Sequence, residues 1–289
     1  MILGGKAVSA VAAPQCVETT IWISAIAAGF AVLGVTWFAD KIGGSAGGLL
    51  ATAPVTTTAA FLYLGIQDVG ALETQILQGG ASLFAAIAPM PVYFYLLKWT
   101  PRLPVWLRIS IGVLAYLALF TALTWFGFVI TPNSLKRLWF VAVVLLVQLF
   151  WFTFMRISID PVHLRGKKPP LRWPEAILRV GAGMVVILLV DTVARLQPAL
   201  AGPWAVFPGV FVVTLIVLGL GHGAAFSARA AQAASLGGVP LALFLLTYWF
   251  LLPVVDAAWW TWFAVIPAWG AYFGALVPLY KVRRQAYDY

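Results

Sequence analysis

Gly48-Leu49-Leu50-Ala51-Thr52-Ala53-Pro54 recurs, in outline, as Gly202-Pro203-Trp204-Ala205-Val206-Phe207-Pro208. Gly65, Ala71 and Gln78 follow the first stretch at the intervals at which Gly219, Ala225 and Gln232 follow the second. With Leu64/Leu218, seven of the 31 residues from 48 to 78 match their counterparts 154 positions on, without a gap. Gly29 and Gly183 extend the match upstream, and the double glycines Gly79-Gly80 and Gly237-Gly238 extend it downstream with a four-residue slip. An odd number of membrane crossings between the copies puts them in opposite orientations, the inverted-repeat plan of many secondary transporters.

The surroundings of the repeat are those of a polytopic membrane protein. Hydrophobic residues make up 63% of the 289 and charged residues 9%, with a mean hydropathy of +0.97, which leaves too little charge to cover a soluble domain. Apolar runs predict nine helices near 19–38, 47–66, 71–97, 104–131, 137–155, 176–195, 203–220, 225–252 and 257–281. Each is about long enough for a ~30 Å hydrocarbon core, and prolines at 89, 91, 240 and 267 predict kinks in the longer ones. On this map 14 Lys and Arg residues fall on one side and four (Lys6, Lys136, Arg137, Arg195) on the other. The positive-inside rule then sets the N-terminus outside and the C-terminus in the cytoplasm of a bacterial inner membrane. The net charge of +9 is read as topology signal beside anionic lipid rather than as a nucleic-acid footprint.

The expected fold is an all-α integral membrane protein of about nine transmembrane helices, two inverted four-helix repeats plus a linking helix. Its parts are an N-terminal tail (1–18), a first repeat (19–131), the linking helix with a basic cytoplasmic loop (132–175), a second repeat (176–282) and a short C-terminal tail (283–289). The lone Cys16 excludes an intramolecular disulfide and any cysteine metal cluster.

Candidate site residues come from the repeat and from the few polar groups inside the spans. Pro54 and Pro208 each remove a backbone donor and free the carbonyl four residues earlier, which in hydrocarbon must find another partner. Facing broken helices at these prolines are expected to line a substrate site. Thr56, Thr57 and Thr58 offer hydroxyls there, with back-bonding to helix carbonyls as the competing use; the second copy has Val210, Phe211 and Val212 instead. Gln78 and Gln232 lie two turns into their helices and need partners, either another helix or a substrate. Asp191 is the carboxylate set deepest in an apolar run; unpaired, it is a proton carrier, but Arg195 four residues on competes as a structural ion pair. Glu73 is the second proton-coupling candidate, with helix capping as its alternative use.

The expected activity is transport of a small neutral or amphiphilic solute by alternating access, without catalysis, cofactor or metal. Membrane lipid and a small-molecule substrate are the expected partners, with a second copy or another membrane subunit as further ones. A non-catalytic assembly subunit is the first alternative and a lipid-modifying enzyme the second. Gly43-Gly44-Ser45-Ala46-Gly47 fits a nucleophile-elbow pattern but lies between membrane helices rather than at a strand-to-helix turn.

Overall fold

The computed structural model describes residues 14–42, 52–87, 89–100, 102–125, 173–207, 211–212, 214–216, 224–252 and 261–287, with single residues at 142 and 146. Within them the chain is all-helical, with no strand. In a hydrocarbon setting this is the expected outcome, because a helix satisfies its backbone groups within one segment. The helices are α1 (Pro14–Ile42), α2 (Val55–Gln67), α3 (Val69–Ile87), α4 (Pro89–Trp99), α5 (Val105–Trp125), α6 (Trp173–Leu196), α7 (Ala201–Ala205), α8 (Ala224–Leu236), α9 (Gly238–Leu251) and α10 (Thr261–Tyr287). A 3₁₀ turn, Pro198–Leu200, leads into α7.

Among the described residues, four stretches are long and apolar enough to cross a membrane: Trp106–Trp125, Trp173–Leu196, Ala230–Leu251 and Phe263–Lys281; a shorter apolar stretch, Ile21–Trp37, lies in α1. The expected fifth span, 137–155, falls outside the described residues apart from two isolated positions. The span expected at 71–97 is seen as α3 and α4 on either side of residue 88, which lies outside the described residues. One expected span is interrupted, and local chemistry explains it. The span expected at 225–252 divides at Gly237, three residues before Pro240, which is thereby in the first turn of α9, where its missing N–H costs nothing. Pro267, by contrast, lies inside α10 without ending it.

The helices sort into an inner and an outer set. Residues 60–65 of α2 and 75–80 of α3 are buried without interruption, as are 230–235 of α8. The outer helices α1, α5, α6 and α10 turn large apolar side chains outward, among them Phe30, Trp106, Ile177 and Ile266. An apolar exterior over a better-packed interior is how a bundle meets lipid.

The outer helices α1 and α6 form the most extensive contact between helices, and glycine makes it close. A Cβ on Gly183 would come 2.8 Å from Gly29 Cα and 2.9 Å from the Ala28 carbonyl oxygen. A Cβ on Gly29 would come 2.7 Å from the Val180 carbonyl oxygen. Backbone cannot yield as a flexible side chain does, so the helices must separate if either glycine is substituted. Gly181, one turn-face away, has open space instead. Gly183→Ala is therefore expected to destabilise the fold by about 1–3 kcal/mol, whereas Gly181→Ala stays within about 0.5 kcal/mol of the parent. Unfolding of the two purified variants by denaturing detergent checks the difference.

Candidate functional site

Each copy of the repeated segment contains non-helical backbone, and the matching positions 52–53 and 206–207 share it. In the first copy residues 52–54 are non-helical and α2 begins at Val55, with Pro54 (φ −75°, ψ 44°) as its N-cap. The Val55 N–H turns back to the Ala53 carbonyl at 2.7 Å, and the Thr58 N–H reaches the Pro54 carbonyl at 2.7 Å. In the second copy α7 ends at Ala205, residues 206 and 207 are non-helical, and Phe211 and Val212 are helical. Phe207 N–H closes the end of α7 on the Trp204 carbonyl at 3.0 Å. Pro208 itself lies outside the described residues. The expectation of a proline-bent helix is thus refined for Pro54: the proline stands at the entry of α2, a position its fixed φ suits.

A pocket with about 420 Å³ of empty space, part of it open to the surroundings, lies between the two breaks. Its lining contains Thr52 with Val206, Ala53 with Phe207, Thr57 with Phe211, and Ile87 with Leu241. Each of these pairs is separated by 154 residues. Thr56, Ala86, Met90 and Gly238 complete the wall. One side, from the first copy, carries hydroxyls; the facing side, from the second, is aliphatic and aromatic.

Close glycine contacts hold the two copies together across this pocket. A Cβ on Gly79 would come 2.9 Å from Val206 Cγ2, and one on Gly237 would overlap Thr52. Gly79 and Gly237 open the two double glycines, and Thr52 and Val206 are 154 apart, so the second contact repeats the first with the copies exchanged. The flanking helices follow the same exchange. On one side Tyr116 of α5 stacks edge-on against Phe207 at 5.1 Å. On the other Tyr272 of α10 meets Thr52 (Oη to Oγ1, 3.3 Å), and Trp269 donates its indole N–H to Thr58 Oγ1 at 3.1 Å.

The threonines behave differently from those elsewhere. Thr36, Thr124 and Thr192 each return their hydroxyl to the carbonyl four residues back, at 2.7–2.8 Å. Thr56 and Thr57 are buried, yet among the described residues their hydroxyls make no hydrogen bond. The reason is the break: the carbonyls four residues back belong to Thr52 and Ala53, outside the helix, and that of Ala53 is taken by Val55. The expected back-bonding of Thr56 and Thr57 is therefore not realised. Thr58 is drawn away to Trp269.

The remaining sequence candidates lie elsewhere. Gln78 and Gln232 are buried but line no part of this pocket, and Gln78 Oε1 has no partner among the described residues. Glu73 is exposed. Asp68 accepts the Ala71 N–H at 3.2 Å and starts α3 at Val69, so Glu73 falls beyond the first turn and has no capping role. Asp191 is buried and paired: its carboxylate meets Arg195 Nε at 2.9 Å, and the Tyr63 hydroxyl donates to the same carboxylate. Gln67 in turn donates to Tyr63. The condition for a free intramembrane proton carrier, an unpaired carboxylate, is not met.

Tyr63 was not singled out by sequence reasoning, nor was the Tyr93–Ser227 hydroxyl pair (2.6 Å) that ties α4 to α8. A tyrosine among apolar neighbours carries no spacing signal, and its partner is 128 residues away. Among the described residues, no three His, Cys, Asp or Glu side chains gather where they could hold a metal ion. Compared with known proteins, the chain matches no family model, no curated protein and no solved structure.

Because the Tyr63–Asp191 bond joins α2 to α6 and leaves the Arg195 ion pair intact when removed, Tyr63→Phe is expected to cost on the order of 1 kcal/mol of stability. Asp191→Asn is expected to cost more, since Arg195 loses its counter-charge too. Equal unfolding midpoints for the two variants would contradict the assignment.

Proposed function

We propose that this chain is a secondary carrier of a small neutral or amphiphilic solute, working by alternating access at the pocket between the two helix breaks. In this proposal nine spans form two inverted four-helix repeats about a linking fifth span, in an inner membrane with the N-terminus outside. The observation that carries it is the make-up of the pocket: three pairs of its lining residues are equivalent in the matched segment, and a fourth, Ile87 and Leu241, has the same 154-residue spacing. A cavity on the axis between two repeats is where alternating-access carriers hold their substrate.

Three further features support an inverted relation. The N-terminal part of the α3–α4 rod contacts the C-terminal part of the α8–α9 rod, and the C-terminal part contacts the N-terminal part, as in antiparallel packing. The Gly79–Val206 and Gly237–Thr52 contacts exchange the copies. The inner and outer helices also divide alike in the two halves, with the first and fourth span of each proposed repeat on the outside. Breaks in helical backbone are tolerated at membrane depth only inside protein or along a cavity, and here both breaks line the same one.

Asp191 enters the proposal as part of a polar latch between halves, with Tyr63 and Arg195, rather than as a free proton relay. Proton coupling through it would require the Arg195 pair to open during the cycle.

A substrate-independent test separates a carrier from an assembly subunit. In a Cys16→Ser background, Thr57→Cys places a thiol in the pocket. In oriented vesicles, a membrane-impermeant thiol reagent is expected to reach it from either face, as the pocket opens to each side in turn. A thiol that reacts from one face only, or from neither, would overturn alternating access and favour a static subunit.

A further inference from the structure

The two walls of the pocket are unlike, and the difference defines what can lie between them. On the first-copy wall, Thr56 and Thr57 are 3% and 4% exposed, and among the described residues neither hydroxyl has a partner. They occupy the first turn of α2, a 13-residue helix. The opening N–H groups of a helix have no intrahelical acceptor. Val55 and Thr58 turn theirs to Ala53 and Pro54, which leaves those of Thr56 and Thr57 without a backbone acceptor among the described residues. Two hydroxyls able to donate, two uncommitted amide N–H groups and the positive end of a helix dipole thus belong to one stretch of the pocket lining. Thr52 adds no free group, being engaged with Tyr272. No carboxylate lies among the described lining residues, so nothing there offsets a positive charge.

The opposite wall is Val206, Phe207 and Phe211, continued by Met90 and Leu241. Phe207 is held by Tyr116 and Trp204, which makes this a fixed apolar surface. It offers a solute nothing but area removed from its surroundings.

From this arrangement we infer that the pocket binds a small amphiphile headed by a hydrogen-bond-accepting oxygen, a carboxylate or a carbonyl. The oxygen lies against Thr56 and Thr57, and a short apolar tail lies against Phe207 and Phe211. This specificity rests on the carrier proposal for its use but not for its test, because binding is measured without transport. The hydroxyl oxygens can accept from an ammonium, but the two amide donors and the like-signed dipole act against a head that only donates, and the pocket selects the acceptor. A carboxylate and a ketone share the accepting oxygen, and their relative affinity distinguishes whether the dipole or the hydroxyls dominate.

The experiment is equilibrium binding of radiolabelled pentanoate, 2-pentanone and pentylammonium to the full chain in lipid nanodiscs, with empty discs subtracted. Saturable binding of the pentanoate and the ketone, and none of pentylammonium, is expected. Thr56→Val/Thr57→Val should weaken binding roughly tenfold or more, and the Thr56→Ser/Thr57→Ser chain, which keeps both hydroxyls, should retain it. The serine variant guards against a folding defect being read as lost recognition. Pentylammonium binding as well as pentanoate, or affinity indifferent to the valine pair, would overturn the inference. Binding as expected without any flux of pentanoate in proteoliposomes would instead count against the carrier proposal and leave the site intact. Flux that ignores the valine pair would sink the site and leave the carrier.

Discussion

Two stretches of backbone are non-helical inside an apolar bundle, and the surrounding structure is arranged around that fact. Residues 52–54 and 206–207 expose peptide groups that hydrocarbon cannot satisfy. Each is closed partly by local turns, such as Val55 to Ala53 and Phe207 to Trp204. Each is then covered by protein: one by a glycine and Tyr272, the other by a glycine and Tyr116. Gly237 and Gly79 matter because any side chain there would prise the cover from the break. The absence of a Cβ at these two points is what lets Val206 and Thr52 approach so closely.

The two non-helical stretches differ in chemistry at positions 154 residues apart. Where the first has Thr52, Thr56 and Thr57, the second has Val206, Val210 and Phe211. A helix start at Val55 deprives two threonines of the carbonyls that their counterparts elsewhere use, so hydroxyls that would be silent in a continuous helix become available to the pocket. Proline and glycine set the backbone, the backbone decides which polar groups are spare, and the spare groups give the proposed site its direction. Polar contacts outside the pocket, such as the Tyr63–Asp191–Arg195 cluster, join the halves without facing it.

Much of this was legible in the sequence, though unevenly. Composition and apolar run length identify an all-helical chain with membrane-spanning helices, because lipid leaves a polypeptide few alternatives. The self-similarity at 154 residues located the breaks, and it did so because glycine and proline are constrained by backbone geometry rather than by neighbours. The Asp191–Arg195 pair follows from their four-residue spacing on one helix face. Side-chain partners set by tertiary packing were not legible. Nothing in the spacing of Gln78 and Gln232 distinguishes a buried amide beside another helix from one facing a cavity, and neither reaches the pocket. The alternative capping role of Glu73 is not realised, because Asp68 starts α3 ahead of the apolar run and Glu73 lies beyond the first turn. Tyr63 left no pattern to find.

The head-to-tail relation of the two halves is the premise on which the proposed site, its axis and its motion all stand. Thr19 and Trp173 are exposed, repeat-equivalent positions at the starts of α1 and α6, and they report on it directly. Single cysteines at each, in a chain lacking Cys16, can be labelled in sealed vesicles with a reagent that does not cross lipid. Head-to-tail halves put Thr19→Cys on the outer face and Trp173→Cys on the cytoplasmic face. Labelling of both from the same face would contradict the account at its root.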